Sequence, residues 1–221
     1  RKMSRIEIRG FGIKMSSKYD AFILIGGRSS RFGSDKAFAD FDGQTLARHS
    51  AETVEQAISP TSIRFVAGFE NQFGAGAILS LGRGMVTDLK TGFGAWSGLH
   101  AALAYSSSEW TFVLACDLPY VSGELLKKLV DLTDDDIDAV VPRQPDGRLQ
   151  PLCAFYRRDV VLEEVERQLA GARRMARLTD LASVVKTRVL EETEYNELPG
   201  NELFFVNINS ISDLPENIAL K

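Results

Sequence analysis

Short apolar runs alternate with longer amphipathic stretches along most of this chain, and that alternation narrows its fold more than any other feature. Runs over 21–25, 63–67, 84–87, 110–115, 139–142 and 152–156 have the length and apolar character of strands. Segments 45–58, 98–106, 122–132 and 160–169 carry apolar residues at helical spacing. Thr45 and Ser122 stand where N-caps belong. Strands separated by helices predict a mostly parallel sheet covered on both faces, a three-layer α/β/α sandwich. A chain of 221 residues suits one such domain and is short for two. Residues 1–18 carry six basic side chains against Glu7 alone, and Met15 looks like a start of translation. They read as an N-terminal leader or extension, with 19–221 as the domain. The rival is an added edge strand, because Arg5–Arg9 alternates with period two.

In open α/β sheets, ligands bind at the carboxyl ends of strands. The run Ala21-Phe22-Ile23 leads into Leu24-Ile25-Gly26-Gly27-Arg28-Ser29-Ser30-Arg31-Phe32-Gly33-Ser34-Asp35-Lys36. Small residues let the backbone approach a ligand, and their N–H groups suit anionic oxygens. Arg31 and Lys36 add positive charge. The loop is built to hold a polyphosphate, yet it is neither Gly-x-x-x-x-Gly-Lys-[Ser/Thr] nor Gly-x-Gly-x-x-Gly. The basic site is local, because net charge is −4 and the pI near 5.4, which disfavours a nucleic-acid surface. Cys116 and Cys153 make neither a disulfide framework nor a zinc site, and no stretch reaches the length of a membrane span. These features fit a reducing cytoplasm.

A second strand run ends in Cys116-Asp117-Leu118-Pro119. If it neighbours the first strand, Asp117 faces the phosphate loop. Polyphosphate chemistry usually uses Mg²⁺ on one or two carboxylates, so Asp117 is the candidate metal ligand. Asp88 closes a third strand ahead of a glycine-rich passage, where it binds a base or ribose or caps a turn. Asp134-Asp135-Asp136 reads as a solvated turn between a helix and a strand. His49 and His100 fall in helical segments and are assigned no catalytic role.

The loop resembles the opening signature of nucleotidyltransferases, Leu-Ala-Gly-Gly-x-Ser-x-Arg-Met-Gly-x-Asp-Lys. Its Gly-Gly and Asp-Lys details are similar to the molybdenum cofactor guanylyltransferases, the MobA family. Cys116–Pro119 matches the family's Cys-Asp-x-Pro, and Asp88 matches an aspartate ahead of Gly-Pro-Leu-x-Gly. Gly147-Arg148-Leu149-Gln150-Pro151-Leu152, Gly171-Ala172-Arg173-Arg174 and Phe205-Val206-Asn207-Ile208-Asn209-Ser210 with Asp213-Leu214 match later blocks in order. Three positions depart from the pattern. Phe32 replaces a methionine, Gly94-Ala95-Trp96 replaces Gly-Pro-Leu, and Ala67-Gly68 stands where the family has an asparagine. The last two fall on the nucleoside side, and Trp96 is expected to reshape the base pocket.

The resemblance implies a Rossmann-like nucleotidyltransferase (GT-A-like) fold and transfer of GMP from GTP to the terminal phosphate of molybdenum-bound molybdopterin. Pyrophosphate would leave, and Mg²⁺ would be the cofactor. Leu24, Ile25, Gly26, Gly27, Lys36, Asp88 and Asp117 would bind nucleotide, with the Gly26 and Gly27 N–H groups on the phosphates. Arg31, Lys36 and Asp117 would be catalytic. Asp117 would hold the metal, joined by Asn209 or Asn207 unless these pin a turn. Arg148, Gln150, Arg173 and Arg174 would face the acceptor, although Arg173-Arg174 also reads as a solvated helix end. Partners would be GTP, a molybdopterin-type acceptor, and molybdenum-insertion or molybdoenzyme maturation proteins, with no nucleic acid and no membrane. Rival readings are a relative using CTP or another phosphorylated acceptor, and a non-catalytic nucleotide-binding protein on the same fold.

Overall fold

The computed structural model describes residues 19–26, 36–171 and 177–213. Strand β1 (Tyr19–Leu24) shows how the sheet is built. Its side chains alternate, so Ala21 and Ile23 enter one core while Phe22 and Leu24 enter the other. Both faces are buried, so the strand is apolar almost throughout instead of alternating with polar residues.

The other sheet strands are β4 (Ser62–Ala67), β5 (Gly84–Thr87), β6 (Trp110–Ala115), β7 (Ala139–Pro142), β8 (Cys153–Arg157) and β9 (Thr187–Leu190). Their order is β5-β4-β1-β6-β8-β7-β9. All pairings are parallel except those of β8, which runs against both β6 and β7. The expected mostly parallel sheet is what forms. Helices α1 (Leu46–Ile58) and α4 (Gly123–Asp131) cover one face through Ala47, Val54, Leu125 and Leu129. Helices α3 (Ala95–Tyr105) and α5 (Arg158–Gly171) cover the other through Leu99, Leu103, Val161 and Val165. The Thr45 hydroxyl accepts from Arg48 N–H and the Ser122 hydroxyl from Leu125 N–H, both at 3.2 Å, so both expected caps are real.

Several elements differ from expectation. Helix α3 begins at Ala95, not at 98, and brings Trp96 into the core. A short helix α2 (Ala75–Ser80) and a hairpin of β2 (Asp40–Phe41) and β3 (Gln44–Thr45) are additional. The hairpin turns on Asp42 and Gly43, with φ of 54° and 81°, the left-handed pair that a two-residue turn of this kind requires. Asp134, Asp135 and Asp136 lie exposed in a turn, as expected. Residues 1–18 lie outside the described residues, as do 27–35, 172–176 and 214–221. Among the described residues no helix is long and apolar enough to cross a membrane.

Candidate functional site

Strand register decides which residues meet. Leu24 pairs with Ala115 of β6 and with Val66 of β4, and Ala67 pairs with Thr87 of β5. Gly26, Gly68, Asp88 and Asp117 therefore leave the carboxyl ends of four adjacent strands side by side. The condition set for Asp117, that its strand neighbour the first, is met.

Lys36 closes the distance from the far end of the phosphate loop. Its Nζ donates to Asp117 Oδ2 at 2.8 Å, with the two side chains 17 % and 26 % exposed. The site thus has an ion pair facing partly into solvent, where a phosphorylated ligand can reach both groups. Asp117 is held from behind. Its backbone carbonyl accepts from Ile208 N–H at 2.9 Å, and Cys116 N–H donates to Leu24 O at 3.1 Å. Ile208 is fully buried with Phe41 and Leu46, so the β2–β3 hairpin clamps the C-terminal segment over Asp117. The exposed Asn207 and Asn209 flank that clamp. Asn209 N–H and Ser210 N–H both donate to Asp213 Oδ2, at 2.8 and 2.9 Å. Those bonds, chiefly the one from Asn209, hold the Asp213 carboxyl below its ordinary range, with nearby Lys36 adding to the effect. The clamp was not read from the sequence, although Asp42-Gly43 between short apolar runs is a hairpin signal.

His49, on α1, holds the loop after Asp117. Its Nε2 donates to Pro119 O at 2.9 Å, and Nδ1 accepts from the Gln44 amide at 3.3 Å. Cys116 and Cys153 are buried free thiols, as expected of Cys116. Burial, with Asp117 adding, pushes the Cys116 thiol up to about 12, so it is unreactive near neutrality.

Two expectations need correction. The Gly26 N–H does not point to a ligand, because it donates to Val66 O at 3.0 Å. Gly26 is needed for another reason. A Cβ there would lie 2.4 Å from Gly68 N and 2.9 Å from Ala67 C, both backbone atoms that cannot swing away. Gly26→Ala is expected to destabilise the protein by about 1–3 kcal/mol and to weaken nucleotide binding, both visible in one thermal titration. An unchanged melting temperature would show that the strand ends yield more easily than the packing implies. The second correction concerns Trp96, which is 4 % exposed and packs in the core with Phe22, Leu24 and Val66. It lies in the core, so an effect on a bound base would have to pass through this packing.

Asp88 is half-buried, and its N–H donates to Ala67 O at 2.9 Å. Burial pushes its carboxyl up to about 6. Leu24 and Ile25 bury their side chains in opposite cores. On the acceptor side, β8 runs against β6, so the loop ahead of Cys153 sits beside Asp117: Ala115 N–H donates to Leu152 O at 2.8 Å. Arg148 lies on this loop, exposed and paired with Asp146 at 2.5 Å. Gln150 is 9 % exposed, and its Oε1 accepts from Leu152 N–H at 3.4 Å. Gly27, Arg31, Arg173 and Arg174 lie outside the described residues.

A mostly parallel sheet that gathers a lysine–aspartate pair and a second carboxylate at its carboxyl edge is the arrangement expected of a nucleotidyltransferase. The MobA-like NTP transferase domain matches residues 21–187, and the chain belongs to that family. It is 32 % identical to the molybdenum cofactor guanylyltransferase of Desulfosudis oleivorans over 194 residues, covering 87 % of this chain and 90 % of that one. It is 30 % identical to a probable molybdenum cofactor guanylyltransferase of Pelotomaculum thermopropionicum, covering 87 % and 88 %. Among solved structures, molybdopterin-guanine dinucleotide biosynthesis protein A from Archaeoglobus fulgidus superposes with a TM-score of 0.69 at 25 % identity, over 88 % of this chain and 94 % of that one. The 4-diphosphocytidyl-2C-methyl-D-erythritol synthase of Anaerococcus prevotii shares the fold, with a TM-score of 0.64 at 14 % identity, over 90 % and 93 %.

Proposed function

We propose that this enzyme transfers GMP from GTP to the terminal phosphate of molybdenum-bound molybdopterin. An oxygen of the acceptor phosphate attacks the α-phosphorus. The bond from that phosphorus to the oxygen bridging to the β-phosphate breaks, and pyrophosphate leaves with the electron pair. The observation that carries the reading is the Lys36–Asp117 pair at the edge of the sheet in a chain with guanylyltransferase relatives.

The protein's part is positioning and charge stabilisation. The nucleophile is already anionic near neutrality, so no strong general base is needed. Lys36 Nζ is assigned to the charge that develops on pyrophosphate. Asp117 fits a Mg²⁺ site by its chemistry: it is a hard oxygen donor, partly exposed, and Oδ1 has no partner among the described residues. Asp117, with Asn209 or Asn207, would hold the ion, which when bound neutralises phosphate charge. Arg31 is assigned to the phosphates, while Arg148, Gln150, Arg173 and Arg174 are assigned to the acceptor. On this reading the enzyme works in the cytoplasm, where its two thiols stay reduced. It would hand its product to molybdoenzyme maturation proteins.

The test is the melting temperature with Mg²⁺ and GTP, ATP, CTP or UTP in turn. A ligand at about a hundred times its Kd stabilises by about 2.7 kcal/mol, which for a domain of this size is roughly 5–10 °C. GTP is expected to give that shift and the others little. A shift for CTP alone would place the enzyme with CTP-using relatives. No shift with any nucleotide would overturn the donor assignment.

A further inference from the structure

Gly68 leaves a space at the end of β4, and a side chain from further along the chain fills it. A Cβ at Gly68 would lie 3.2 Å from Gln72 Oε1 and 3.9 Å from Asp88 Oδ2, with Gly26 Cα also at 3.9 Å. Gln72 Oε1 and Asp88 Oδ2 therefore both border the point where a side chain at 68 would begin, next to the start of the phosphate loop. The orientation of the Gln72 carboxamide is fixed by chemistry. Gly68 N–H donates to Gln72 Oε1 at 2.6 Å, and only the oxygen of the amide can accept. The Nε2 end is left over, with two donor hydrogens and no acceptor among the described residues. Beside it the Asp88 carboxylate likewise has no side-chain hydrogen bond among the described residues.

We infer that Gln72 is the specificity residue for the nucleobase, its Nε2 donating to the O6 carbonyl of guanine while Asp88 accepts from N1–H and the 2-amino group. This rests on the guanylyl-transfer reading above. A donor beside an acceptor complements the guanine edge. Adenine opposes it, because its 6-amino group would face the Gln72 donor. A site built to satisfy a particular polar edge rejects a base that leaves its groups unpaired. The chain thus supplies from position 72 an amide that no residue at 67 or 68 can offer. Hydrogen bonds, not sequence spacing, identify it.

The experiment measures the affinity of the full chain with Mg²⁺ for GTP, ATP and 6-thio-GTP, which keeps N1–H and the 2-amino group but carries a weakly accepting sulfur in place of O6. Gln72→Ala and Gln72→Glu are compared with the unaltered protein. Glutamate still accepts from Gly68 N–H, so it keeps the loop clamped while replacing the donor with a charged acceptor. Both variants are expected to lose about tenfold in GTP affinity, to weaken the O6-lacking analogue clearly less than GTP, and to narrow the GTP-over-ATP preference. Equal weakening of all three nucleotides by Gln72→Ala, with Gln72→Glu unaffected, would make Gln72 a loop clamp and overturn the inference. A GTP-over-ATP ratio unchanged in both variants would overturn it while leaving guanylyl transfer standing. If the unaltered protein itself showed no preference for GTP, both readings would fall together.

Discussion

Asp117→Asn is expected to lower turnover by a factor on the order of a hundred or more and to leave the melting temperature almost unchanged. The substitution keeps the shape of the side chain and removes its charge. The fold does not depend on that charge, because the strand end is held by backbone bonds from Ile208 N–H to Asp117 O and from Cys116 N–H to Leu24 O. The Lys36–Asp117 pair is partly exposed, and such pairs contribute about 0–1 kcal/mol. What the substitution removes is the carboxylate assigned to a cation and the partner that aims Lys36. Lys36→Ala should show the same split between activity and stability. Lys36→Arg should not restore activity, since a planar fork cannot replace a compact ammonium at one point. Steady-state kinetics and thermal unfolding on the same preparations decide the matter. Turnover within a few-fold of the unaltered enzyme would remove that residue from the mechanism.

The parts of this architecture that the sequence discloses are those set by local pattern. The six apolar runs became six strands of the sheet. The clearest, β1, β6 and β7, are buried on both faces and so nearly apolar throughout, while the edge strand β5 shows as an apolar run although none of its residues is fully buried. Asp117 was legible because it follows one such run and the carboxyl end of a parallel strand faces ligands. The missing strand, β9, has only Val189 and Leu190 as apolar residues, too few to stand out. The direction of β8 was not legible, because the loops of the sheet, not the strand's own residues, determine it. The Phe41–Leu46–Ile208 clamp and the Gln72 amide depend on contacts between distant segments or on one hydrogen bond. The Gly26 amide was misassigned for a similar reason: its acceptor, Val66 O, lies on another strand.

Asp20 is the clearest case of a residue invisible to pattern, and its removal should cause the largest loss of stability. It is a carboxylate 1 % exposed inside β1. Its Oδ1 accepts from the Ser62 hydroxyl at 2.6 Å. Its Oδ2 accepts from the Ser107 and Ser108 N–H groups at 2.8 and 3.1 Å, and from the Ser106 and Ser107 hydroxyls at 3.1 and 3.3 Å. Arg64 Nη2 stands 3.8 Å away. One side chain thus ties the turn between α3 and β6 to β1 and β4, at the end of the sheet opposite the site. Burial alone would raise its pKa, but the hydrogen bonds outweigh burial and hold it below the ordinary 3.8. Asp20→Ala leaves the Ser107 and Ser108 N–H groups without their acceptor and Arg64 without its nearby counter-charge, and is expected to cost about 3–5 kcal/mol. Asp20→Asn keeps one acceptor oxygen and should cost about 1–3 kcal/mol, so it reports even if the alanine variant fails to fold. The sign of the pH effect follows from the lowered pKa. The folded state binds this proton less readily than the unfolded chain, so the stabilisation is fully present above the unfolded value. It fades as pH falls below 3.8 and through the folded value. Denaturant unfolding of the unaltered protein and Asp20→Asn should therefore differ most near neutrality and converge in acid. A gap that stayed constant down to pH 2 would mean that the charge of Asp20 contributes nothing and that its shape alone holds the turn.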